Sequence, residues 1–179
     1  MTAKAAFTPE EWTILIQSPL NVAMLITVAS PSLFGGMKEM YAAAQGLVAA
    51  GQQAPGADEL LTALFAEFRD KAALDAAQPK YETKDPVALK QEILTHIGVA
   101  ATLVDQKATP EEASALKAWL YQFGVRQANA SKEGGFLGIG AVRVSESEKA
   151  ALVELATTLG VEPPAEAPVE PPAEAPAKA

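Results

Sequence analysis

The feature that most constrains this chain is a run without charge near its beginning. From Thr13 to Met37 the sequence holds no Asp, Glu, Lys, Arg or His. A membrane-spanning helix needs roughly 20 predominantly apolar residues. Polar residues and prolines interrupt this run, and its most apolar part, Val22 to Ala29, is too short to span. We therefore expect the run to form the buried centre against which the other segments pack. Contact with a membrane is the alternative.

Two Ser-Pro pairs divide the run into predicted helices. Ser18-Pro19 and Ser30-Pro31 each have the pattern of an N-cap residue followed by the first helical residue. Proline is tolerated there because the N–H that it lacks has no partner inside the helix. The pattern predicts a first helix that begins at Thr8, a second from about Pro19 to Ala29, and a third from Pro31 to about Ala50.

Apolar residues at helical spacing predict further helices after a linker at Gly51 to Ala57. Asp58 begins an amphipathic helix, which Gln78 to Lys84 interrupts, and Asp85-Pro86 begins the next helix. The residues predicted to face the core in these two helices are Leu60, Leu61, Leu64, Phe65, Phe68, Leu89, Ile93, Ile97, Ala100 and Val104.

Three predicted helix starts share one pattern, namely Ser or Thr, then Glu three residues later, then Leu seven residues later. It occurs at Thr8–Glu11–Leu15, Thr109–Glu112–Leu116 and Ser145–Glu148–Leu152. In such a capping box, the hydroxyl accepts a hydrogen bond from a backbone N–H, and the Glu carboxylate accepts one in return. Ordinary helix-start chemistry explains the recurrence, and an internal duplication is the alternative. Gly160 is the predicted stop of the last helix.

These patterns predict an all-α fold, a bundle of six or seven helices with a disordered Pro/Ala/Glu-rich C-terminal tail. We expect a flexible N-terminus at 1–7, a single helical domain over 8–161 and the tail over 162–179. The tail reads EPPAEAPVEPPAEAPAKA, in two near-copies of one unit. Its prolines and charges prevent a packed core and favour polyproline II conformations. It adds solubility or tethers a partner.

The composition argues against several classes of function. The formal net charge is −8 and there is no basic cluster. This argues against nucleic acid, whose phosphates supply most non-specific affinity, and against anionic lipid surfaces. The chain has no Cys, which excludes disulfides, thiolate catalysis and zinc–sulfur sites. The first residues lack a continuous apolar segment, so we expect no signal peptide and a cytoplasmic location.

The single histidine limits the catalytic possibilities. His96 lies four residues after Glu92, so both share one helix face. Di-iron bundles place Glu and His three residues apart and repeat the motif, which this chain does not do. We therefore expect a helix-stabilising contact and predict no catalytic residue and no cofactor. An enzyme that uses His96 and Glu92 is a third hypothesis.

A glycine-rich segment, SKEGGFLGIGAVRV, runs from Ser131 to Val144. It lacks the Lys-Ser/Thr of a P-loop, the G-x-G-x-x-G pattern and a clear preceding strand. We expect a loop folded back onto the core or a tight hairpin. The alternative is an exposed apolar loop that enters a partner groove or a membrane interface. The candidate partner-binding residues are Phe136, Leu137 and Ile139.

The segment GVAATLVDQKATPEEASALKAWL, from Gly98 to Leu120, resembles the helix–loop–helix of tellurite-resistance TerB-like proteins. The family pattern is an alanine-rich helix, an Asp-Gly loop, a Ser or Thr, and then Glu-Glu at the start of the next helix. Asp105, Thr109 and Glu112 match it, and Gln106 stands where the pattern has glycine. The stretch from Ala141 to Gly160 resembles the same pattern without the Asp.

The TerB-like resemblance implies an all-helical bundle linked to bacterial stress response, in which acidic residues sometimes bind metal. It makes Asp105, Glu111 and Glu112 candidate ligands of a divalent ion. The function that we predict first is a non-enzymatic protein–protein interaction or scaffold protein of bacterial type. Its expected partner is a protein, not nucleic acid, and a homo-oligomer is one form that this partnership can take. The TerB-like stress-response protein is the alternative.

Overall fold

The computed structural model describes residues 4–29, 59–130 and 144–162, and these ranges contain six α-helices and no strand. The helices are α1 (Pro9–Ala29), α2 (Glu59–Arg69), α3 (Lys71–Ala76), α4 (Pro86–Lys107), α5 (Pro110–Ala130) and α6 (Glu146–Leu159), and a short 3-10 helix at Lys4–Ala6 precedes them. The predicted all-α fold is confirmed. The third predicted helix (Pro31 to Ala50), the linker, the glycine-rich loop and the tail after Glu162 lie outside the described residues.

Helices α1, α4, α5 and α6 form a four-helix bundle in which every helix contacts the other three. Glu11 at the start of α1 pairs with Lys107 at the end of α4, so these two helices run in opposite directions. Gly124 of α5 lies beside Val22 of α1 and Leu155 of α6. Helix α2 packs on the outside against α5 and α1. The part of the uncharged run that forms α1 contacts every other long helix and is therefore central, as predicted.

Two of the described helices, α1 and α4, are long and apolar enough to cross a membrane by length and composition. Their burial differs. The apolar part of α1 is 67% buried inside the fold, against 39% for α4. Leu15, Val22 and Leu25 of α1 have no exposed surface. Helix α1 is thus explained as a core helix, whereas α4 carries apolar surface that this core does not cover.

The predicted helix boundary at Ser18-Pro19 is wrong, because α1 continues through Pro19 to Ala29. Pro19 has no N–H to donate to the carbonyl of Leu15, four residues earlier. The Ser18 hydroxyl donates to that carbonyl instead, at 2.7 Å. Both Ser18 and Leu15 are fully buried. The hydroxyl therefore satisfies a carbonyl that would otherwise be buried without a partner.

The amphipathic segment after Asp58 is two helices rather than one, since α2 ends at Arg69 and α3 begins at Lys71. Between them, the Asp70 side chain accepts hydrogen bonds from the backbone N–H groups of Ala72 and Ala73, at 2.8 and 3.4 Å. A strong N-cap of this kind favours a new helix start. The apolar residues predicted for α2, from Leu60 to Phe68, are nevertheless buried as expected.

All three predicted capping boxes are present, with both hydrogen bonds in each. The distances from the first backbone nitrogen to the glutamate oxygen are 2.8 Å for Thr8–Glu11, 3.1 Å for Thr109–Glu112 and 2.8 Å for Ser145–Glu148. Glu112 and Glu148 are buried. Gly160 ends α6 with a φ of 66°, the left-handed conformation that glycine adopts without strain.

Candidate functional site

The candidate metal ligands Asp105, Glu111 and Glu112 lie on either side of the junction of α4 and α5, and two of them take part in structural contacts. Asp105 pairs with Lys117 at 2.6 Å. The Glu112 carboxylate accepts hydrogen bonds from the Thr109 N–H and hydroxyl, whereas Glu111 is exposed. In the three described ranges, no three His, Asp or Glu side chains are grouped to hold a metal ion. A metal ion bound here would have to displace Lys117 from Asp105 or break the hydrogen bonds between Glu112 and Thr109.

His96 and Glu92 share a helix face but do not bond to each other. The His96 ring stacks on Tyr81, with ring centres 5.8 Å apart, and its buried Nδ1 has no hydrogen-bond partner among the described residues. Glu92 accepts from the backbone N–H of Glu82 at 2.9 Å. The Tyr81 hydroxyl donates to buried Asn21 at 2.8 Å. These contacts fasten the connection between α3 and α4 onto α1 and α4.

An open groove of about 570 Å³ lies beside the start of α1, between the N-terminal residues, α2 and α3. Its polar groups bond to one another: the Trp12 indole donates to Glu67 at 3.2 Å, and Lys4 pairs with Glu67 and lies over the Trp12 ring. Trp12 is only 3% exposed. The groove therefore offers a ligand few accessible aromatic atoms and few unpaired polar groups.

Helices α4 and α6 lie side by side and run in the same direction. Lys90, near the start of α4, pairs with Glu154, in the second half of α6, at 2.8 Å. Further along both helices, the Thr158 methyl group lies 3.6 Å from the position of a Cβ built on Gly98. Two contacts in the same order along both helices fix them as parallel neighbours.

Exposed residues without charge occur on both helices of this pair. Successive residues of an α-helix are rotated by about 100°. Val99 of α4 and Val153 of α6 each lie on the exposed side of their own helix. We define the α4–α6 face by the exposed, uncharged residues on that side, which are Ala88, Gln91, Thr95, Val99 and Thr102 of α4 and Ala150, Val153 and Thr157 of α6. Val99 is 46% exposed and Val153 is 59% exposed.

The threonine hydroxyls of the α4–α6 face are already satisfied within their own helices. Those of Thr95, Thr102 and Thr157 each donate to the carbonyl four residues earlier, at 2.9 Å in every case. Removing water from a hydroxyl is costly chiefly when it leaves a polar group without a partner. A partner surface can therefore bury these threonines with a smaller desolvation penalty than an unbonded hydroxyl would carry.

The charged side chains next to this face form ion pairs of opposite sign. Lys90 pairs with Glu154 where the two helices meet. Lys149 pairs with Glu146 at 2.8 Å at the start of α6. Glu146 lies in the same helical row as Ala150 and Val153 and its side chain is 89% exposed, so one charged residue borders the face at the start of α6, where it pairs with Lys149.

The predicted partner-binding residues Phe136, Leu137 and Ile139 lie outside the described residues. Sequence analysis did not identify the α4–α6 face. Its signal was the spacing of uncharged residues at 91, 95, 99 and 102, opposite the predicted core stripe of the same helix. Comparison of the chain with protein-family models, with curated proteins and with solved structures found no match.

Proposed function

We propose that this chain is a non-enzymatic interaction or scaffold protein, and that the α4–α6 face binds another protein. The observation that supports this proposal is a pair of neighbouring helices that exposes Val99 and Val153 beside threonines whose hydroxyls are already bonded. At 1.5 Å per residue and a helix spacing of 8–10 Å, the face measures about 20 by about 20 Å. That is about 400 Å², within the range of patches that often bind partners.

The glycine-rich loop and the tail are part of the same proposal. Phe136, Leu137 and Ile139 supply apolar contact residues, and the segment 162–179 tethers a partner or increases solubility. We further propose that the protein is of bacterial type, as the resemblance of Gly98 to Leu120 to TerB-like proteins implies, and that it acts in the cytoplasm.

A crosslinked pull-down with mass spectrometry tests the interaction. The baits are the full chain, Val99→Glu, and Ala118→Glu as a matched control that adds the same charge to an exposed position of α5. We expect the wild type and Ala118→Glu to capture the same proteins and Val99→Glu to lose at least one of them. An identical set from all three would contradict a role for this face. Phe136→Ser and a chain ending at Val161 test the loop and the tail in the same way.

A second candidate function is the TerB-like stress-response protein that binds a divalent ion. It is supported by the segment from Gly98 to Leu120, which forms two helices joined at Ala108 and Thr109, with a capping box at the second start. Calorimetry with calcium, magnesium and manganese tests it. Binding heat that Asp105→Asn abolishes is expected if the acidic junction holds the ion. The absence of heat with all three ions would reject the proposal.

A further inference from the structure

We infer that the groove beside the start of α1 is a docking site for a protein segment in which a basic residue is followed three residues later by an aromatic one. In this structure the chain's own N-terminal turn, the 3-10 helix Lys4–Ala6 with the adjoining Phe7, occupies the site as a displaceable cover. The groove is formed by other residues than the α4–α6 face, so the inference goes beyond the proposed function.

The groove recognises one cation and one aromatic ring of the turn. Lys4 pairs with Glu67, and its Nζ lies over the Trp12 ring, 5.5 Å from the ring centre. A carboxylate and an aromatic face both attract an ammonium group, and the Trp12 indole holds the carboxylate by donating to it at 3.2 Å. The buried Phe7 ring packs on Trp12, with ring centres 5.8 Å apart. The formal net charge of −8 also favours a basic partner at longer range.

The turn is held by few buried contacts. Lys4, Ala5 and Ala6 are exposed, and Phe7 is the one buried residue of the turn. The Lys4–Glu67 pair joins side chains that are 57% and 22% exposed, and exposed ion pairs are weak and screened by salt. Segments with few buried contacts and an exposed backbone open locally while the rest of the fold stays intact. The turn can therefore leave the groove without unfolding the bundle.

Helix α1 does not depend on the turn for its start. The capping box of Thr8 and Glu11 follows the turn and joins these two residues by both of its hydrogen bonds. The backbone N–H of Trp12 donates to the Thr8 carbonyl at 2.9 Å. Displacement of the turn thus leaves the first turn of α1 capped and Trp12 in place as part of the site.

The turn leaves part of the groove open. A space of about 570 Å³ remains beside it, lined on the far side by Ala73, Ala76 and Ala77, and this volume is in the range of ligand-binding clefts. An attached turn competes at high effective concentration. A partner segment longer than the turn overcomes this advantage, because it replaces the contacts of Lys4 and Phe7 and also fills the space along the alanines.

Acrylamide quenching of tryptophan fluorescence tests the cover. Trp12 and Trp119 are 3% and 6% exposed, so both are protected in the wild type. The full-length double variant Lys4→Glu/Phe7→Ser removes the contacts of the turn with Trp12. Because the chain has two tryptophans, we expect about half of the fluorescence to become quenchable. Lys149→Glu breaks an exposed ion pair at the start of α6 and is the control that should leave quenching unchanged.

A peptide with the sequence of residues 2–8, TAKAAFT, tests the site. Added to the double variant, it should restore the protection of Trp12. The same peptide with Glu in place of its Lys, or Ser in place of its Phe, should bind about tenfold more weakly. The wild-type chain should also bind TAKAAFT about tenfold more weakly than the double variant does, because its own turn occupies the site in most molecules.

Three results would overturn the inference. Unchanged quenching in the double variant shows that the turn does not cover Trp12. Increased quenching that TAKAAFT does not reverse shows that the turn covers Trp12 without occupying a docking site. Equal binding of the three peptides rules out recognition of a basic and an aromatic residue.

Circular dichroism verifies the helical fold of each variant. If the double variant loses its helical signal, Lys4→Gln decides, because it removes the ion pair and keeps Phe7. Lys4→Gln should bind TAKAAFT more tightly than the wild type does, and equal affinity would contradict the inference. Failure here leaves the proposed function standing, since the Val99→Glu pull-down tests a different surface.

Discussion

At the scale of single residues, a serine hydroxyl replaces a missing backbone N–H in the central helix. Pro19 lies in the middle of α1, where it removes one hydrogen bond of the helix. Ser18 donates to the carbonyl left free, that of Leu15, at 2.7 Å. The sequence pattern Ser-Pro predicted a helix start, because the same two residues form an N-cap and a first turn. Only the buried surroundings of α1 favour continuation.

Ser18→Ala should destabilise the fold, because it leaves the buried Leu15 carbonyl without a partner. The expected loss is about 1–3 kcal/mol in the free energy of unfolding, measured by urea denaturation. In a Pro19→Ala background, the backbone N–H of residue 19 can bond to Leu15, so Ser18→Ala should be less damaging there. Equal losses in both backgrounds would show that the hydroxyl does not compensate for the proline.

At the scale of helices, the starts that carry a capping box were predictable, whereas the predicted start at Ser18-Pro19 was wrong and the start after Asp70 was missed. The three capping boxes were predicted correctly because each depends on residues within one turn. The break at Asp70 was missed because the apolar spacing continues across it. Its signal in the sequence was an Asp followed by residues that favour helix. The α4–α6 face was missed for a different reason. A sequence gives the apolar positions of α4, but the packing of α1, α5 and α6 decides which of them remain exposed.

Two glycines make a matched test of helix packing. A Cβ at Gly124 would lie 2.7 Å from a Leu155 methyl carbon and 3.2 Å from one of Val22, and both side chains are fully buried. Overpacking of this kind costs about 1–3 kcal/mol, more than alanine regains through helix propensity. Gly124→Ala should therefore lower the free energy of unfolding.

Gly98→Ala is the control for that substitution. A Cβ there meets only the Thr158 methyl group, at 3.6 Å, an ordinary contact. Alanine should stabilise α4 by about 0.5–1 kcal/mol. Urea denaturation of both variants measures the change in the free energy of unfolding. Equal changes would show that the space beside Gly124 can accept a methyl group and would contradict the prediction.

At the scale of the whole molecule, ion pairs join the ends of the bundle. Lys107 at the end of α4 contacts Glu11 in the first turn of α1, at 2.6 Å. Its hydrogen bond to Glu11, together with the Thr8 backbone N–H, holds the pKa of that carboxyl below its ordinary value of 4.5. The pair therefore stabilises the folded chain above the unfolded pKa, and this contribution is lost as the pH falls through the folded pKa.

Glu11→Gln should lower the melting temperature at neutral pH, and the difference from wild type should shrink as the pH falls to about 2. Thermal unfolding followed by circular dichroism measures it. Glu10→Gln is the control, since Glu10 lies in the same turn and is exposed, and its effect should be smaller. If the difference in melting temperature between wild type and Glu11→Gln does not change with pH, the charge of Glu11 is not what stabilises the fold.

The internally bonded threonines of the α4–α6 face have a thermal consequence. Contact between surfaces that present methyl groups and already satisfied hydroxyls lowers the heat capacity, and its driving force near room temperature is mostly entropic. Such an association weakens on cooling. A protein contact made through this face should therefore weaken in the cold and strengthen on moderate warming, so the bound fraction would report temperature as well as concentration.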